Sequence, residues 1–250
     1  MRYYIVTGAS RGIGEGIARA LLTEGSTVFS ISRQNNPVFE KLAVQTGGRY
    51  IYIECDLSQT AMLDGLMEEV FSSIDFDEAE GLYLINNAGV LLPIGPAEGN
   101  SAEETEQHIR VNLLAPMRLT SGFIAGSGDF TGRKVVVNIS SGAARHPYFG
   151  WSCYCAGKAG LEMFSKVVGV EQRETVSPVV IYSVDPGIVD TEMQAQIRAS
   201  SDEQFKDKSK FIQYLEMGYL TDILETGSKI AETLDDPTIA TGDTVSVRIK

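Results

Sequence analysis

The sequence predicts an α/β fold: a doubly wound, mostly parallel sheet of seven strands with helices on both faces. Three observations predict it. Short β-branched and aromatic runs alternate with longer segments of helical period. The first run ends in a glycine-rich turn that opens a helix. No low-complexity tract, internal repeat or Gly/Ser/Pro-rich linker divides the 250 residues, so one domain over 1–250 is expected.

The strand-like runs fall at residues 3–6, 27–31, 50–53, 82–85, 134–139, 179–184 and 244–249. Between the first two, Ile13, Ile17, Ala18, Leu21 and Leu22 share one helical face, and Gly25 follows as a stop signal, which makes a βαβ unit. Ser101 and Glu104 have the spacing of a capping box, in which each side chain satisfies a free backbone N–H at a helix start. A long helix is expected to begin there, kinked or divided at Pro116, because proline removes a ladder hydrogen bond. Segment 190–222 is polar but interrupted by Met193, Ile197, Phe205, Phe211, Ile212, Tyr214 and Met217. That pattern suits one or two amphipathic helices, either a lid over an apolar pocket or an ordinary surface excursion.

Composition excludes several classes of function. Hydrophobic residues make up 43% and charged residues 22%, which is globular usage and not that of a disordered chain. A formal net charge of −12 repels phosphate backbones and anionic membranes, so no nucleic-acid or membrane partner is expected. The three cysteines, Cys55, Cys153 and Cys155, form no disulfide framework, and neither His108 nor His146 stands at a metal-ligand spacing from them. A metal-free site is the expectation. Residues 1–6 run straight into the glycine turn with no signal-peptide pattern, and no stretch approaches the ~18 apolar residues of a span. The sequence therefore reads as a cytoplasmic protein.

Residues 7–14 read Thr-Gly-Ala-Ser-Arg-Gly-Ile-Gly, with Gly8, Gly12 and Gly14 between a strand and a helix. Glycines there let the backbone approach a pyrophosphate, which the free N–H groups of the helix start can bind. Taken alone, such a turn is equally a tight strand-to-helix connection. The second strand adds to it. An acidic residue near that strand's end binds the ribose 2′-hydroxyl of NAD, whereas an arginine accommodates the 2′-phosphate of NADP. Here Ser32 and Arg33 stand at that end with no carboxylate before Glu40, and Arg11 lies in the glycine turn. The expected cofactor is NADP(H); the alternative is that Arg33 is a solvated loop residue.

Tyr154 and Lys158 are four apart and share one face if the segment is helical. Thirteen residues before Tyr154, Ser141 stands at the carboxyl end of a strand, where side chains face the ligand crevice; Ser140 takes that place if the register slips by one. With these in order, the chain resembles the short-chain dehydrogenases/reductases over essentially its whole length. The likeness runs through the 7–14 turn, Asp56-Leu57, Asn86-Asn87-Ala88-Gly89, Asn112, Ser141, Tyr154 with Lys158, and Pro186-Gly187 leading to Thr191.

The resemblance implies a Rossmann-type fold and a catalytic tetrad of Asn112, Ser141, Tyr154 and Lys158. It implies that Gly8, Ser10, Arg11, Gly12, Ile13 and Gly14 hold the pyrophosphate side of the cofactor and that Ser32 and Arg33 face its 2′-phosphate. Asp56 and Leu57 would flank the adenine, and Asn87, Ala88 and Gly89 would shape the crevice. Pro186, Gly187, Ile188 and Thr191 would hold the nicotinamide end, together with Tyr154 and Lys158. Tyr154 would donate the proton, helped by a Lys158 ammonium that favours its phenolate; Ser141 would orient the carbonyl. Asn112 would hold a relay water, or else merely kink a helix beside Pro116.

Two branches of the family are similar in the second half of the chain. Residues 140–155 and 190–194 look like bacterial benzil reductases that form (S)-benzoin, and residues 150–159 and 190–194 are also similar to sepiapterin reductase. The latter branch anchors its pterin with an aspartate in the last strand, whereas Thr244–Arg248 here has no carboxylate, Ser246 standing at about that position. A pterin would lose about 1 to 3 kcal/mol from unpaired donors. Phe149, Trp151, Met193 and Ile197 are expected to form, with Ser141, an apolar pocket for a flat dicarbonyl; for Phe149 and Ile197 the alternative is core or dimer packing. The resemblance also implies a homodimer through helices at 101–122 and 151–171. A non-catalytic NADP-binding redox sensor is the alternative from another class, and the presence of all four tetrad positions weighs against it.

Overall fold

The computed structural model describes residues 1–248. The elements run β1 (Arg2–Thr7), α1 (Gly12–Leu21), β2 (Ser26–Ser32), α2 (Val38–Thr46), β3 (Arg49–Glu54), α3 (Leu63–Ser72), β4 (Gly81–Asn86), α4 (Ala102–Ile109), α5 (Ala115–Ser127), β5 (Arg133–Ile139), α6 (Ser152–Gln172), β6 (Val180–Asp185), α7 (Glu192–Ala199), α8 (Lys208–Glu216), α9 (Ile223–Thr233) and β7 (Thr244–Ser246). The seven strands form one parallel sheet in the order β3-β2-β1-β4-β5-β6-β7. The doubly wound Rossmann-type architecture expected from the alternating runs is therefore the observed one.

A sheet covered on both faces needs strands apolar on both faces. In β1, Tyr3 and Ile5 join a core with Phe29, Leu66, Leu119 and Phe123, while Tyr4 and Val6 join the opposite core with Ile17, Leu21, Phe39 and Ile230. The last strand is shorter than the sequence pattern predicts. Past Ser246 the chain leaves the ladder, although the Val247 N–H still donates to the Asp185 carbonyl at 3.1 Å. The expected continuation at Ile249 lies outside the described residues.

Two helix ends differ from the expected ones. α1 closes at Leu21, and Gly25 shapes the turn into β2 with φ of +76° instead of capping the helix. The capping box at Ser101 and Glu104 is present, with both reciprocal bonds. The helix it opens is divided ahead of Pro116: residues Arg110–Leu114 form a π-helical turn, and Pro116, which has no N–H to give the ladder, sits in the first turn of α5 directly after it. α9, which the strand pattern did not single out, packs on α1 through two glycines. A Cβ on Gly16 would lie 1.9 Å from the Ile223 carbonyl oxygen, and one on Gly227 would lie 2.1 Å from the Gly16 carbonyl carbon.

Candidate active site

Strand order reverses between β1 and β4, and a cleft of about 1710 Å³ opens beyond the carboxyl ends of the strands at that point. Its floor is the glycine turn. Gly8 and Gly12 adopt φ of +66° and +59°, which a side chain would strain. Gly14 lies behind the turn: a Cβ there would be 2.2 Å from the Gly8 carbonyl oxygen and 2.4 Å from Asn87 Nδ2. Asn87 staples β4 to this turn, its Nδ2 donating to the Thr7 carbonyl at 2.9 Å while Thr7 Oγ1 accepts from the Asn87 and Ala88 N–H groups. Close backbone approach of this kind leaves a bare cradle that fits a dinucleotide pyrophosphate.

Gly8, Ser10, Arg11, Gly12 and Ile13 line the cleft, as do Ser32, Arg33, Asp56, Leu57, Asn87, Ala88, Gly89, Pro186, Gly187, Ile188 and Thr191. Gly14 and Asn112 are set back from its surface. Ser32 is buried and spends its hydroxyl on the Gln34 carbonyl at 2.8 Å. Arg33 is exposed at the rim. Arg11, expected to help Arg33, is paired with Glu192 of α7 at 2.5 Å, so a carboxylate competes for it.

α6 carries the Tyr and the Lys on one buried face, as their spacing predicts. Lys158 Nζ donates to the Ile139 carbonyl at 2.7 Å and lies 5.9 Å from the Tyr154 ring centroid. Ser141 follows β5 with extended backbone, its Oγ accepting from the Ala143 N–H at 3.2 Å and its side chain facing the Tyr154 phenol. Ser140 is spent elsewhere: its hydroxyl donates to buried Glu162 at 2.7 Å. Of the two serines, Ser141 is the one beside the Tyr154 phenol. Asn112 sits in the π turn, where its Nδ2 donates to the Val90 carbonyl at 2.7 Å and its Oδ1 accepts from the Val90 N–H at 2.8 Å.

Electrostatics at this site differ from the expectation that the Lys158 ammonium lowers the tyrosine. Burial pushes the Tyr154 phenol up to about 12, and the facing Ser141 hydroxyl only tempers the shift. Burial also brings Lys158 down to about 8. With Nζ turned to the Ile139 carbonyl, desolvation outweighs any help from the cation. Tyr154 is thereby held as a neutral phenol, the form that can give a proton.

The far wall is aromatic. Trp151 stacks on Phe205 with centroids 4.5 Å apart and meets Phe211 and Tyr154 edge-on at 5.5 and 5.4 Å. Trp151, Met193 and Ile197 line the cleft, and α7 and α8 supply Gln194, Phe211 and Tyr214 beside them. Phe149 does not belong there. Its ring is 46% exposed with Lys206 Nζ 5.6 Å from its centroid, because Gly150 turns the chain with φ of +84° and sends Tyr148 inward instead. Tyr148 packs on Trp151 at 4.9 Å and lines the cleft. Nothing in an irregular loop distinguishes the inward from the outward of two neighbouring aromatics. Phe205 and Phe211 were legible as apolar interruptions of a polar segment, but not as Trp151's partners.

Among the described residues no helix is long and apolar enough to cross a membrane. Residues 2–202 match the family described as short chain dehydrogenase. Over 247 residues the chain is 41% identical to a benzil reductase ((S)-benzoin forming) of Bacillus cereus, covering 99% of each protein. It is 32% identical over 249 residues to a sepiapterin reductase of Meriones unguiculatus, covering 95% of this chain and 93% of that protein. The crystal structure of KRED1-Pglu enzyme superposes with a TM-score of 0.83 at 26% identity, covering 98% of this chain and 100% of that one. The family match spans the glycine turn, Ser141, Tyr154 and Lys158 alike, and the chain belongs to the short-chain dehydrogenases/reductases, a family of NAD(P)-dependent oxidoreductases.

Proposed function

We propose that the chain reduces a carbonyl with NADPH, its substrate a hydrophobic or aromatic dicarbonyl such as benzil, reduced to (S)-benzoin. One observation carries the reading: Tyr154, beside Ser141, meets Trp151 edge-on in an aromatic wall that Tyr148 and Phe211 complete. An apolar aromatic wall next to a proton donor suits a flat, weakly polar ketone. The likeness to the Bacillus cereus benzil reductase supports the same substrate class.

NADPH, when bound along the glycine turn with Arg33 toward its 2′-phosphate and Thr191 toward its nicotinamide, supplies the hydride. The chain's own residues do the rest. Ser141 Oγ donates a hydrogen bond that orients the carbonyl, and the Tyr154 O–H bond breaks as its proton passes to the oxygen that becomes the alcohol. Lys158 would hold the ribose hydroxyls of the bound cofactor and place a cation behind the tyrosine. Asn112 braces the cleft wall at Val90, and α7 and α8 act as the lid of a single catalytic domain, excluding water.

The pterin reading is weaker because Thr244–Arg248 offers no anchoring carboxylate, and Arg248 Nη2 is engaged with Asp185 at 2.8 Å. A homodimer through the helices at 101–122 (α4 and the start of α5) and 151–171 (α6) is part of the proposal, supported by the exposed Met163, Val167 and Val170, which recur at helical spacing on α6. A cytoplasmic location is proposed with it. The test is the initial rate of NADPH oxidation, with NADH in parallel, against benzil, an aliphatic diketone and sepiapterin. An NADPH-linked rate with benzil that Tyr154→Phe abolishes is the expected result; preference for sepiapterin would overturn the substrate, and preference for NADH the cofactor.

A further inference from the structure

His108 lies in the last turn of α4 with no exposed surface. Both ring nitrogens have partners: Nδ1 is 2.7 Å from the Leu92 carbonyl oxygen, and Nε2 is 2.7 Å from Asn112 Nδ2. A carbonyl only accepts, so Nδ1 carries the proton, and Nε2 is left as an acceptor. The Asn112 amide cannot turn over to suit any other arrangement. Its Oδ1 already accepts from the Val90 N–H and its Nδ2 already donates to the Val90 carbonyl, so a flip would set like against like at both Val90 contacts. With one Nδ2 hydrogen on Val90 and the other on His108, all members of this buried set are satisfied.

The set stands directly behind the reacting groups. The His108 ring meets Tyr154 edge-on at 6.1 Å. A Cβ on Gly157 would lie 3.4 Å from Asn112 Cβ and 3.5 Å from His108 Nε2, so α6 backs onto both. The segment that His108 and Asn112 hold, Val90 to Leu92, lines the cleft. We propose that His108 is a positioning residue of this site: a neutral imidazole, protonated on Nδ1, that locks the Asn112 amide and with it the 90–92 wall beside Tyr154 and Lys158. The proposal rests on the reaction read above and adds an acid-sensitive element to it.

Protonation would put an N–H on Nε2 against an amide NH2 that has no room to reverse. The groups facing His108 give it no relief. From α6 come the Tyr154 phenol and the Lys158 cation, and from the 90–92 segment only backbone; the Cys153 thiol is spent on Thr105, one turn earlier on α4. Burial first, and Lys158 with it, hold the imidazole below its ordinary range, while the bond to Leu92 opposes them. As the pH falls through that lowered value, the lock opens and turnover declines.

Two measurements on the whole protein test this. The imidazole 15N spectrum, assigned by the signal missing from His108→Gln, should show His108 as the Nδ1–H tautomer, titrating below the ordinary histidine range. In NADPH-linked benzil reduction, His108→Phe should lower kcat by about tenfold with the KM for NADPH within about twofold. His108→Gln keeps an acceptor for Asn112 and cannot titrate, so it should retain most of kcat and lose the acid limb. An Nε2–H tautomer, or an acid limb that persists unchanged in His108→Gln, would overturn the proposal. A wild-type protein with no NADPH-linked rate would overturn the reaction instead, and the spectrum would still decide the tautomer.

Discussion

Arg11 and Glu192 form a 2.5 Å ion pair that ties the glycine turn to the first residue of α7 across the mouth of the cleft. Both side chains are about two-thirds exposed, at 64% and 67%. An exposed pair of this kind contributes little, so Arg11 can exchange Glu192 for a phosphate at small cost.

Cofactor preference should accordingly depend on Arg33 more than on Glu192. Arg33→Ala is expected to raise the KM for NADPH by about tenfold, the scale of one charge-assisted phosphate contact, and to leave NADH nearly unaffected. Glu192→Gln should change either value by less than about threefold. Paired steady-state titrations with the two cofactors check both.

The alkaline limb of the reduction should belong to Lys158, not to Tyr154. The phenol keeps its proton up to about 12, whereas the buried ammonium is lost as the pH rises through about 8. kcat/KM measured against pH should fall above that value. Lys158→Arg, which does not titrate in this range, should remove the limb at a lower plateau.

The same lysine destabilises the fold at neutral pH. Its pKa drops from 10.5 to about 8 on folding, a difference equivalent to about 3 kcal/mol. The unfolded chain binds this proton more tightly, so the penalty is full below about pH 8 and fades as the pH rises toward the unfolded value. Lys158→Met removes the penalty but leaves the Ile139 carbonyl unpaired, which returns about 1 kcal/mol. A net gain of about 2 kcal/mol is expected, with a higher Tm at pH 7 and no catalytic turnover. Thermal melts across pH test the sign.

Close packing of α1 on α9 makes Gly16 intolerant of any side chain. Gly16→Ala places its methyl 1.9 Å from a backbone oxygen and should destabilise by about 2 to 3 kcal/mol. Gly65 in α3 has nothing within 4 Å of the same position, so Gly65→Ala should stabilise by about 0.5 to 1 kcal/mol. Denaturant midpoints of the two variants should move in opposite directions.

Neighbouring aromatics at the turn into α6 should behave differently. Trp151→Ala removes a buried ring that touches Phe205, Phe211 and Tyr154; it should cost about 3 to 5 kcal/mol of stability and raise the KM for benzil. Phe149→Ala, at an exposed position, should leave that KM within about twofold. Benzil kinetics on both variants separate the wall from the rim.

The strands, the α1 amphipathic face, the Ser101 capping box and the spacing of Ser141, Tyr154 and Lys158 were legible in the sequence by itself. They are local: side-chain period, a reciprocal cap and a four-residue helical repeat depend on residues only a few positions apart. So the fold class and the glycine turn could be read without contacts. Only the tertiary structure decided which of Tyr148 and Phe149 enters the cleft, that Ser140 is spent on Glu162, that Arg11 meets Glu192, and that His108 faces Asn112 while Asn112 faces Val90. Most of these contacts join distant segments whose approach is set by how whole helices pack on the sheet. His108 and Asn112 are one turn apart, but their pairing is fixed by Leu92 and Val90, which the fold brings against them from another segment. The downward burial shift of Lys158 follows from the same packing, since an ammonium loses its water only when α6 closes over β5.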